Sequence, residues 1–173
     1  MKLYFAYIVS LLVGVQAFAF GPMDARKMYF EGWEGSCGAT MLVDTLQQNE
    51  IKDDPVMMAY KGAALTTLAN CKDTPFSKLS VFNKGKDLLE TAIGMDAESV
   101  EARFLRYTVQ TNIPGILNYN NLEEDKHFIM ERLTLPQSPV DAELKSIIAT
   151  YMLEHGDLSD AEISELKNVM AKK

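Results

Sequence analysis

The residues of this 173-residue chain with the most chemistry in them are two cysteines, two histidines and one Glu-x-x-His spacing. Cys37 lies in Gly35-Ser36-Cys37-Gly38, at the predicted start of a helix. A thiolate there is stabilised by the helix N-terminus and becomes a better nucleophile. It also needs a base, and the only imidazoles are His127 and His155. No thiol-protease signature surrounds the cysteine, so a catalytic role for it is set aside. Glu124 and His127, three apart, share a helix face and could hold one metal ion, but a carboxylate metal centre of that kind needs a second such pair, and the sequence has none. The preferred reading is a solvated acidic first turn, in which Glu123, Glu124 and Asp125 complement the helix dipole. His155, beside Gly156, reads as a helix-end residue that satisfies carbonyls. There is no glycine-rich phosphate loop, Cys-x-x-Cys pair, EF-hand loop or Gly-x-Ser-x-Gly elbow. The expectation is therefore a non-enzyme with no cofactor, no metal and no catalytic residue.

Cys37 and Cys71 have a second possible chemistry, a disulfide, which depends on compartment. The chain begins Met1-Lys2 and is apolar from Leu3 to Val15, followed by Gln16-Ala17-Phe18-Ala19-Phe20. One positive charge, a short apolar run and an Ala-x-Ala ending read as a secretory signal peptide over residues 1–19, cleaved after Ala19. The run is shorter than the roughly 20 apolar residues of a spanning helix. The protein is expected to be exported, periplasmic or extracellular, with no membrane insertion after cleavage. Residues 20–173 then form a single domain of 173 − 19 = 154 residues, long enough for one continuous core. Losing Lys2 takes the formal charge from −7 to −8. An acidic chain without a basic cluster argues against nucleic acid and anionic membrane as partners.

The elements that must position these residues are all helical. Apolar residues recur at helical spacing between Pro, Gly and capping residues, and eight segments result. They are expected near 23–31, 37–49 with Ser36 as cap, from Pro55 after Asp54, 78–94, 99–112, 121–133, from Pro139 with Ser138 as cap, and after Ser159. A longer connection, Lys72 to Ser77, precedes the fourth. Ser159 and Glu162 form a capping box. No strand alternation is present. The fold class expected is all-α, stacked antiparallel helix hairpins, with seven to eight helices after signal peptide removal.

If the second and third helices form a hairpin, Cys37 starts one and Cys71 ends the other, at the same end. Bonded or free thiols both remain open, since the bond needs Cα atoms within about 7 Å. The periodic pattern fails in Ile113-Pro114-Gly115-Ile116-Leu117-Asn118-Tyr119-Asn120-Asn121. Ile116, Leu117 and Tyr119 either pack onto the core as a lid, which is preferred, or form a binding loop.

The third to fifth helices resemble the tetratricopeptide (TPR) repeat, which has two helices per unit and a period of about 34 residues. Gly62 and Gly85 match the small residues where the repeat's two helices touch most closely. Leu89 and Ala92 match the large and small positions of the second helix, Asp96-Ala97 the Asp-Pro that ends a repeat, and Glu101-Ala102-Arg103 the start of the next. The chain departs from the pattern in a connection about eleven residues longer than the repeat allows, in Arg103 where an aromatic is usual and in Tyr107 where a small residue is usual. AYKGAAL, FNKGKDLLETAI, RFLRYTVQTNIPGILNYNNLEEDKHFI and YMLEHGDLSDAEISEL are similar to small exported bacterial TPR-like proteins of unassigned activity. The resemblance implies a non-enzymatic helical-repeat module that binds a protein or peptide or serves as a scaffold. The alternative is a small exported enzyme or apolar-ligand carrier that uses the 113–121 loop.

Overall fold

The computed structural model describes residues 20–31, 37–49, 51, 53–117 and 119–171. The expected signal peptide (1–19) and the expected cap Ser36 lie outside the described residues, as do Asn118 and the side chain of Ile116. Eight helices follow in order: α1 (Pro22–Glu31), α2 (Ala39–Gln48), α3 (Pro55–Leu68), α4 (Pro75–Met95), α5 (Val100–Thr111), α6 (Leu122–Thr134), α7 (Ala142–His155) and α8 (Asp160–Ala171). The described residues contain no strand, so the chain is all-α.

Local chemistry explains most of the helix starts. Asp54 Oδ1 accepts from the Met57 N–H at 3.0 Å, and Pro55 takes the first helical position, where its missing N–H costs nothing. Ser99 Oγ accepts from the Ala102 N–H, and Ser159 exchanges bonds with Glu162 as a capping box. Two starts differ from expectation. Helix α4 begins at Pro75, because Thr74 and Ser77 form a capping box of their own. Helix α7 begins at Ala142, because Asp141 caps the Leu144 N–H at 2.8 Å while Ser138 Oγ only receives the Val140 N–H. The chain leaves α3 through a 3-10 turn, Ala69–Cys71, so only residues 72–74 connect α3 to α4. Of the expected connection, Lys72 to Ser77, residues 75–77 are helical instead.

Helices α3 and α4 pack antiparallel. Gly62 faces Gly85 and Leu89, and Gly85 faces Gly62 and Thr66. Helix α2 packs on α3, α3 on α5, α5 on α6, and α8 on both α6 and α7. Two apolar cores share α5. Ala102, Leu105 and Val109 belong to the core beneath α1–α4, whereas Val100, Phe104 and Tyr107 belong to the core of α6–α8. Phe30 of α1 packs against both. Helix α5 is therefore buried on every side from Phe104 to Gln110, polar residues included. Among the described residues, no helix is long and apolar enough to cross a membrane.

Candidate binding groove

Helices α1, α3, α5 and α7 converge around a groove of about 470 Å³. Tyr29 and Phe30 of α1 form one wall, and Thr66 and Thr67 of α3, with Asn70 beyond it, form another. Thr108, Val109 and Asn112 line it from the end of α5, Ile113 closes one side, and Tyr151 reaches in from α7.

These side chains are held by the helices they come from. Thr66 Oγ1 donates to the Ala63 carbonyl at 2.7 Å, Thr67 Oγ1 to the same carbonyl at 3.2 Å, and Thr108 Oγ1 to the Leu105 carbonyl at 2.8 Å. A threonine hydroxyl has one proton, so these three keep oxygen lone pairs as their remaining capacity. The Tyr29 hydroxyl lies 3.4 Å from Thr108 Oγ1. The Tyr151 hydroxyl accepts from Asn112 Nδ2 at 2.6 Å and lies 2.7 Å from Thr111 Oγ1. An aromatic run supports the floor: Phe30 stacks on Phe104 at 5.7 Å, and Phe104 meets Tyr151 edge-on at 5.5 Å. Burial pushes the Tyr29 and Tyr151 phenols above their ordinary range, so both stay neutral. None of the described residues lining the groove carries a carboxylate, ammonium or guanidinium. The arrangement suits a neutral, polar ligand with apolar patches.

A second cavity, of about 270 Å³, adjoins the groove across Ile113 and runs along Pro114, Gly115, Tyr119, Asn120 and Leu122. Tyr119 and Leu117 pack on the first core, and Tyr119 is only 6% exposed. The Tyr119 hydroxyl donates to Glu90 at 2.5 Å, and burial raises its pKa. Gln110 borders this cavity too, and its buried Oε1 and Nε2 have no hydrogen-bond partner among the described residues. Leaving such a group unpaired costs about 1–3 kcal/mol.

Two charge networks escape the sequence-based reading. Arg26 grips Glu101 through two bonds of 2.9 and 3.0 Å and reaches Asp141 at 3.0 Å, while the Tyr60 hydroxyl donates to Glu101 at 2.5 Å. This ties α1, α3 and α5 to the cap of α7. Arg106 grips the fully buried Asp125 at 2.6 and 2.7 Å and Glu90 at 2.9 Å, and Arg103 bonds both Asp125 and Glu124. Asp125 is thus a buried ion-pair partner rather than part of a solvated first turn. Its two arginines come from the preceding helix, 19 and 22 residues earlier in sequence, and no local pattern reports such a pairing.

Cys37 and Cys71 are joined as a disulfide with Cα atoms 5.6 Å apart. Cys37 therefore has no thiol to act as a nucleophile. Glu124 pairs with Arg103, His127 is exposed, and the His155 ring packs on Tyr151 at 4.6 Å. No group of three or more metal-ligating side chains occurs among the described residues.

No protein-family model matches this chain, and comparisons with curated proteins and with solved structures return no match.

Proposed function

We propose that this is an exported helical-repeat protein of TPR-like kind that binds an extended, uncharged segment of a peptide or protein in the groove between α1, α3, α5 and α7. The observation that carries the reading is the make-up of that groove: about 470 Å³, lined by threonine, asparagine and tyrosine side chains, with no formal charge among its described lining residues. That volume falls within the roughly 300–1,000 Å³ of ordinary ligand sites. A charged ligand would lose its hydration there without gaining a counter-ion. An extended peptide is neutral along its backbone and offers N–H donors, which suit the lone pairs left on Thr66, Thr67 and Thr108. Its apolar side chains suit Phe30, Val109 and Tyr151. Helical stacks present elongated concave surfaces of this sort. Export rests on the residues of segment 1–19, and the disulfide between Cys37 and Cys71 accords with an oxidising compartment.

Affinity capture from the host envelope or medium tests the reading. The tagged protein is compared with Thr67→Arg, which places an unpaired charge in the groove wall. The expected result is a partner retained by the unaltered protein and lost by the variant, with helical content and urea midpoint preserved. Capture that is equal for both would contradict the assignment of the groove. Amino-terminal sequencing of the exported protein should begin at Phe20.

A further inference from the structure

We infer that the outward face of α4 is a dimer interface, which pairs in the antiparallel sense with α4 of a second copy of this chain. Helix α4 contributes no described residue to the groove between α1, α3, α5 and α7, so the pairing leaves the groove of each copy open.

Helix α4, 21 residues long, turns Phe82, Gly85, Leu89, Ala92 and Ile93 to the interior. At 3.6 residues per turn, Phe76, Ser80, Lys84, Asp87, Thr91 and Met95 fall within one arc on the opposite side, about 100° wide. All six are exposed, Phe76 at 84% and Met95 at 46%. A solvated helix face has no need of a large apolar residue at each end. Beside the stripe, Leu65 of α3 and Leu88, both half-buried, line a shallow groove of about 360 Å³ with Lys84, Asp87 and Thr91. Lys84 and Asp87 have no ion-pair partner among the described residues.

The order of the stripe selects the partner. From either end it steps by four, four, three, four and four residues, and its complements lie symmetrically about the midpoint between Gly85 and Lys86. An identical helix run the other way, about a two-fold axis at that midpoint, sets Lys84 against the partner's Asp87. Ser80 then meets the partner's Thr91. The Thr91 hydroxyl already donates to the Asp87 carbonyl at 2.7 Å, which leaves its lone pairs for a second donor. Phe76 meets the partner's Met95, a contact of ring and thioether. Each contact occurs twice, as a two-fold interface requires. The same helices run parallel would set Lys84 against Lys84 and Asp87 against Asp87, so the charges admit the antiparallel pair alone.

The test is sedimentation equilibrium of the purified full chain over about 1 μM to 1 mM. The expected result is a reversible equilibrium between monomer and dimer. Lys84→Asp sets carboxylates against each other across the axis, and Asp87→Lys does the same with ammonium groups. Each variant alone should dimerise at least about tenfold more weakly. An equal mixture of the two should recover the association as a heterodimer, because every Asp then meets a Lys. The double variant Lys84→Asp/Asp87→Lys should recover it with itself. Both positions are exposed, so helical content and urea midpoint should match the unaltered protein. A chain that stays monomeric throughout, a dimer indifferent to either single reversal, or a mixture that fails to recover overturns the interface. None of these outcomes bears on capture of a partner by the groove, which Thr67→Arg tests separately.

Discussion

Gly62 and Gly85 hold the backbones of α3 and α4 in direct contact. A Cβ built on Gly62 would lie 2.7 Å from the Gly85 carbonyl oxygen, and one built on Gly85 would lie 2.5 Å from the Gly62 carbonyl oxygen. The obstacles are backbone atoms, which cannot rotate away. Gly62→Ala therefore has to spread the two helices, and the expected loss is about 1–3 kcal/mol, as for other overpacked interiors. Urea denaturation measures it. Gly94, with nothing within 4 Å of its would-be Cβ, is the control, and Gly94→Ala should not destabilise.

The Arg106–Asp125 pair makes a different prediction. Asp125→Ala leaves Arg106 buried with Glu90 and, 4.0 Å away, Glu124 as its counter-charges, and breaking a buried pair from one side costs about 3–5 kcal/mol. The remaining bond to Glu90 places the expected value near the lower end. The exposed pair Arg132–Glu98, by contrast, should be removable without a measurable change in urea midpoint.

What could be read from the sequence was local, and what could not was long-range. Asp54-Pro55, Ser159 with Glu162, and the two contact glycines announce themselves within a few residues. Thr74-Pro75 carries the same cap-then-proline signal as Asp54-Pro55, but it sits inside a stretch without helical periodicity, so α4 begins three residues earlier than the spacing predicts. Asp125 followed two other acidic residues at a helix start, which suggested a dipole contact and concealed its arginine partners on α5. Arg26 and Glu101 are 75 residues apart, and the groove is assembled from four helices, so no spacing rule reveals either. Nor could periodicity show that Thr108 and Gln110, polar residues on an amphipathic helix, are buried between two cores.

The disulfide joins the turn before α2 to the 3-10 turn after α3 and closes a sequence separation of 34 residues. On the chain-entropy model a loop of that length is worth roughly 3–4 kcal/mol. Thermal unfolding with and without dithiothreitol measures the difference. The reduced protein should melt at a markedly lower temperature, and Cys37→Ser/Cys71→Ser should match it and no longer respond to the reductant.

Tyrosine ionisation offers a probe of both burial and processing. Burial pushes Tyr107 up to about 12 and pushes Tyr29, Tyr60, Tyr119 and Tyr151 above their ordinary range as well. The other two tyrosines, Tyr4 and Tyr7, lie within the expected signal peptide. Absorbance titration of the exported protein should therefore show no phenol ionising near the ordinary value of about 10. Since folding raises these pKa values, the stability they contribute is present below pH 10 and is lost as the pH rises beyond it, because the unfolded chain ionises first. The urea midpoint should hold to about pH 9 and fall steadily above pH 10.

The groove itself is tested most directly by a photo-crosslinking residue placed at position 112, on the rim beside Tyr151, in protein expressed in its own host. A second sample carries the same residue at position 165, on the exposed face of α8. A single peptide or protein adduct formed from position 112 and not from position 165, and lost in Thr67→Arg, is the result predicted. Adducts formed equally from both positions, or from position 165 alone, would contradict the groove as the binding site.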